Sequence, residues 1–133
     1  MCWSASASVA FVAAGSAATA LSILRRDPPA IWLTISYFTL MEGLQAVGYS
    51  VVDQCGTPAN KTIAGLSYLH VALQPIIINM FAMAIAPAPI SPRMRRGVLA
   101  LAAACSAVML VQMLPWEALG PCRPGSLLCG LEW

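Results

Sequence analysis

Residues 5–24 read "ASASVAFVAAGSAATALSIL", and Arg25 and Arg26 follow at once. An α-helix rises ~1.5 Å per residue, so a charge-free run of this length covers the ~30 Å hydrocarbon core of a bilayer. Three more apolar runs follow at 30–52, 62–86 and 97–114, the second interrupted by Glu42 and Gln45 and the last being the shortest. The links between them are brief: "RRDPP" (25–29), "DQCGTPANK" (53–61) and "PAPISPRMRR" (87–96). Pro28, Pro29, Pro58, Pro87, Pro89 and Pro92 all fall in these links, where a missing backbone donor costs little.

Composition agrees. Of the 133 residues, 59% are hydrophobic and only 9% charged, whereas a soluble domain carries about 25% charged residues. So few charges cannot coat a water-facing globule. The expected fold is all-α: a polytopic transmembrane helix bundle of four spans, one domain over 1–133, with an outer tail at 115–133. The opening "MCWS" has no basic n-region, so the first run reads as a retained span rather than a cleaved signal peptide. No basic patch is interleaved with aromatics, which argues against nucleic acid as a partner. The partners expected are the lipid bilayer and either further copies of the chain or a larger membrane complex.

Two independent features orient the spans. Arg25, Arg26, Arg93, Arg95 and Arg96 fall on one side, against Lys61 and Arg123 on the other. Cytoplasmic links are enriched in Lys and Arg, so both termini are expected to be extracytoplasmic. Under that topology Cys2, Cys55, Cys122 and Cys129 share the outer face, and Cys105 alone lies within a span. Four cysteines in an oxidising compartment read as two disulfides, with three pairings open; Cys122 with Cys129 closes the shortest loop. Trp3, Trp32 and Trp116 fall at expected helix ends, where an amphipathic ring prefers the headgroup level.

Spans one and four have the texture of packing helices. Gly15 with Thr19, and Ala14 with Ala18, form small-xxx-small pairs, which allow close backbone approach in lipid. Cys105, Met109 and Met113 recur along one face of span four. Soft sulfur ligands suit Cu(I), but methionine is more often a filler of irregular cores.

The chemistry is concentrated in spans two and three. Phe38, Glu42, Gln45, Ala46 and Tyr49 share a helical face by spacing, and so do Ser67, His70 and Gln74. With span two ending near 52 and span three starting near 62, Glu42 falls between His70 and Gln74 in depth. The expectation is a ligand-binding site of Glu42, Gln45, His70 and Gln74, with His70 and Glu42 as the candidate metal ligands. Pro75 cannot donate to the carbonyl of Val71, which opens backbone beside His70. An ionisable residue within a span points to function; the blander reading is a polar staple between two helices. A metal or a haem is conceivable there, although one histidine establishes neither.

The stretches "MCWSASAS", "YFTLMEGLQ", "DQCG" and "YLHVALQPIIIN" resemble an uncharacterised family of multi-pass membrane proteins. Its members, as the resemblance implies, carry about seven spans, so this chain would be an N-terminal four-span portion or a short member. The resemblance implies no activity. Three functions stay open at this point. One is a module that binds or transports a small polar ligand, a proton or a metal. Another is an intramembrane metal-dependent hydrolase completed by further spans or subunits; the last is a structural subunit of a membrane complex. No P-loop, dinucleotide fingerprint or nucleophile elbow is present.

Overall fold

A computed structural model describes residues 4–54, 56–86 and 90–112. They form four helices: α1 (Ala5–Leu24), α2 (Pro29–Gly48), α3 (Pro58–Ala84) and α4 (Pro92–Gln112). The fold is all-α, as the apolar runs require. Cys2, Cys55, Cys122 and Cys129, and with them the expected disulfides, lie outside the described residues, as do Met113, Trp3, Trp116 and the tail at 115–133.

Side-chain caps mark the start of α1, α3 and α4. Ser4 accepts from the Ala7 amide and Thr57 from the Asn60 amide, and Ser91 accepts from the Met94 amide at 3.2 Å. Each hydroxyl satisfies one of the orphan N–H groups of a first turn. Pro29, Pro58 and Pro92 then occupy the first turn, where no amide is needed. The runs expected at 62 and 97 therefore start earlier, at Pro58 and Pro92, because a proline read as a link residue is also a helix opener. The second run stops at Gly48 rather than 52. Its last residues turn instead, with the Ser50 and Val51 amides bonding back to Val47 and Gly48.

The α1–α2 link closes as a Schellman turn. Arg26 adopts the left-handed conformation (φ 59°), its amide bonds to Ile23, and the Asp27 amide bonds to Ser22. The Ser22 hydroxyl donates back to Asp27 Oδ2 at 2.7 Å. At the opposite end of the molecule, buried Asn60 donates from Nδ2 to the Val51 carbonyl at 2.8 Å and ties the α2–α3 link to the start of α3.

Each helix packs chiefly against its neighbours in the chain, antiparallel, so α1, α2, α3 and α4 follow one another in a row. The packing inverts the logic of a water-soluble protein. On α1 the inward line is Ser8, Val12, Gly15, Thr19 and Ser22, spaced alternately four and three apart, while Val9, Leu21 and Ile23 face outward. Gly15 meets Thr39 of α2 so closely that an added Cβ would lie 3.1 Å from Thr39 Cβ and Cγ2. Of the two small-residue pairs read from the sequence, Gly15 and Thr19 face inward; Ala14 and Ala18 are exposed.

Three helices, α1, α3 and α4, are long and apolar enough to cross a membrane. α2 has 20 residues but falls outside that group. It is also the helix with packed neighbours on both sides that carries Glu42 and Gln45.

The Gly15 contact gives a direct check on the row. Gly15→Ala should destabilise the protein by about 1–3 kcal/mol, the usual result of overpacking a close contact. Gly97→Ala in α4 meets nothing within 4 Å and should be neutral or stabilising by up to about 1 kcal/mol. Denaturant-titrated unfolding in mild detergent reads both. Equal effects at the two positions would contradict the close α1–α2 approach.

Candidate functional site

His70 lies in the middle of α3 and is 6% exposed. Its ring stacks on that of Tyr37 from α2, with centroids 3.8 Å apart and planes 19° from parallel. The Tyr37 hydroxyl donates to the backbone carbonyl of His70. One aromatic residue therefore grips both the ring and the backbone of the histidine. Phe38 supports Tyr37 edge-on, at 5.8 Å.

The carbonyl engaged here is one residue before that of Val71, which Pro75 leaves without its helical donor. α3 runs on through Pro75 as helix to Ala84. Asn79, placed by spacing opposite His70, turns back on its own helix and donates to the Pro75 carbonyl at 2.7 Å. A second tyrosine repeats the cross-helix motif: the Tyr68 hydroxyl donates to the Met109 carbonyl of α4 at 2.6 Å.

The small hydroxyls of α2 are satisfied within the helix. Thr34, Ser36 and Thr39 each donate to the carbonyl four residues back. His70 contrasts with them: its Nε2 is buried and has no hydrogen-bond partner among the described residues, and Ser67 Oγ, one turn earlier in α3, is in the same condition. Thr19 Oγ1 and Ser106 Oγ, elsewhere in the row, are likewise buried without a partner among the described residues. A buried polar atom with no partner is costly, by about 1–3 kcal/mol. Two such atoms one turn apart on α3 form the chemically distinctive locus of the described residues.

The expected site is only partly assembled. Ser67, His70 and Gln74 do share a helical face by spacing. Glu42, however, makes no hydrogen bond or ion pair with His70 among the described residues. Glu42 would be level with His70 only if the second run ended at 52 and the third started at 62. With the helices ending at Gly48 and starting at Pro58, the residue level with His70 is Tyr37, and Glu42 lies about 7.5 Å nearer the α2–α3 link by helix rise. Tyr37 faces α3, while Thr39 meets Gly15 of α1. By spacing, Phe38, Glu42, Gln45 and Tyr49 then fall on the flank of α2 between its two packed sides. Glu42, Gln45 and Gln74 are half-buried, and no side-chain hydrogen bond is formed by any of them among the described residues.

His70 and Glu42 are thus not brought together as a metal pair. Among the described residues no three His, Cys, Asp or Glu side chains gather. Cys105 is free and exposed on α4, and Met109 contributes its backbone carbonyl to Tyr68. Tyr37 is the site residue that sequence reading missed. The signal was present: a hydroxyl in mid-helix between two apolar stretches needs a partner when buried.

The chain belongs to the family of unknown function DUF5765, which it matches over residues 6–133. No curated protein and no solved structure matches it.

The Tyr37 grip is open to measurement. Tyr37→Phe keeps the stack and removes the hydroxyl, and should lower stability by about 0.6–2 kcal/mol, the range for interhelical hydrogen bonds in membranes. Tyr37→Leu should lose a further 0.5–1.5 kcal/mol or so with the ring pair. Unfolding in detergent checks both; an unchanged Tyr37→Phe protein would show that the hydroxyl bond carries no stability.

Proposed function

We propose that this member of the family is a four-span integral membrane protein, with both termini extracytoplasmic, that binds a proton or a small polar ligand at His70. The four-span part is supported by the register of the row. α2 is antiparallel to both neighbours and, at 20 residues, is as long as α1, and its lower apolarity goes with packed sides on α1 and α3. The orientation is supported by Arg25, Arg26, Arg93, Arg95 and Arg96, which the antiparallel order of the helices brings to the same end, with Lys61 at the other. Two disulfides among Cys2, Cys55, Cys122 and Cys129 belong to the same reading.

One observation carries the binding part: the buried Nε2 of His70 has no partner among the described residues. In a hydrocarbon surrounding, an unpaired imidazole nitrogen is retained at a cost, and a water, proton or hydrogen-bonding ligand removes that cost. Tyr37 holds the ring in place, which a binding group requires. Ser67 Oγ offers a second polar contact one turn away. Glu42 and Gln45, on the open flank of α2, supply a polar approach from the end of the α2–α3 link. The competing structural reading is favoured by the same stack: Tyr37 and His70 would then be a lock between helices and nothing more.

The chain holds a single histidine, so ¹⁵N-imidazole labelling gives one unambiguous ring in lipid nanodiscs. In a binding site, the His70 ring exchanges protons with bulk solvent and titrates, and Glu42→Gln slows that exchange or moves its midpoint while leaving the fold intact. A ring that keeps one protonation state over the range where an accessible imidazole titrates, unaltered by Glu42→Gln, would establish the lock instead.

A further inference from the structure

The C-terminal ends of α1 and α3 and the starts of α2 and α4 lie at one end of the row, with Arg25 and Arg26 in the α1–α2 link and Arg93, Arg95 and Arg96 in the first turns of α4, all exposed. Asp27 is the one carboxylate in the sequence of the 25–29 and 87–96 links, and its Oδ2 already accepts from Ser22. None of the five guanidinium groups is ion-paired among the described residues; Arg96 Nε donates to the Pro92 carbonyl of its own helix at 3.3 Å.

Three of the five stand where a helix least tolerates them. Arg93, Arg95 and Arg96 lie at the start of α4, and its first turn has no acidic residue. The helix dipole is positive at that end, so cations there are unfavourable and an anion is favourable. Ser91 caps the Met94 amide but brings no charge. Positive charge is therefore concentrated at the start of α4, whose own first turn supplies no carboxylate to offset it.

The residue type narrows the partner. Orientation in the membrane is set by lysine as well as by arginine, yet all five cations at this end are arginine, while the single lysine, Lys61, lies at the other end. Arginine differs from lysine in its planar fork of donors, which matches the oxygens of a phosphate two at a time. We propose that the arginine end of the row is a binding surface for the phosphate of anionic phospholipids, with Arg93, Arg95 and Arg96 as its principal contacts and Arg25 and Arg26 beside the neighbouring hairpin. This inference uses the membrane placement of the helices and is independent of the His70 site.

The test uses the full chain, purified in mild detergent and equilibrated with phosphatidylglycerol or phosphatidylcholine, with retained lipid counted by native mass spectrometry. Phosphatidylglycerol should be retained in preference, and its affinity should fall roughly fivefold for each arginine removed, the usual effect of one juxtamembrane cation. The triple substitution Arg93→Gln, Arg95→Gln, Arg96→Gln should abolish the preference, the triple change to Lys should weaken it, and Lys61→Gln should leave it intact. Equal retention of the two lipids by the unmodified chain would overturn the proposal without reference to any variant. Displacement of phosphatidylglycerol by inorganic phosphate would overturn the lipid as partner. Full binding by the Lys triple would overturn the arginine fork as the recognition element.

Discussion

The stack of Tyr37 on His70 is the contact on which the centre of the molecule depends. It joins the two helices that carry the polar residues, and it sets their register. Because the tyrosine holds the ring and the backbone carbonyl together, one residue fixes both the orientation of His70 and the register of α3 against α2. The price is an imidazole nitrogen left without a partner among the described residues, which is where structure passes into chemistry.

The same constraint recurs through the row. In lipid no hydrophobic drive holds helices together, so contact must come from close packing or from hydrogen bonds across the interface. The α1–α2 pair uses packing, with Gly15 against Thr39. The α2–α3 and α3–α4 pairs use tyrosine hydroxyls on backbone carbonyls. Outward surfaces are left apolar, with Leu33, Leu40, Leu101 and Val108 all exposed. The small polar residues a soluble protein would display, such as Ser8, Ser22 and Ser106, are the buried ones.

Much of this was legible in the sequence, for physical reasons. α1 starts and stops where its apolar run does because Ser4 caps one end and the paired arginines close the other. The arginine end was legible because charge placement needs no tertiary detail. The register of α2 and α3 was not, since Pro58 reads equally as a link residue and as a helix opener. That choice moves the partner of His70 from Glu42 to Tyr37. Tyrosine also hides in a hydropathy scan, being neither clearly apolar nor charged. The Asn60 bond to Val51 was invisible for a related reason: a polar residue near a loop looks solvated until the loop folds over it.

The account stands or falls on α2 as a membrane span, because His70 is buried in lipid only if both helices of its pair cross. Single-cysteine variants Arg26→Cys, Lys61→Cys and Arg95→Cys, labelled with a membrane-impermeant thiol reagent in sealed vesicles of known orientation, test this directly. Residues 26 and 95 should label from one side and residue 61 from the other. If residues 26 and 61 label from the same side and residue 95 from the opposite one, α2 does not cross, and the buried site between α2 and α3 is not a membrane site.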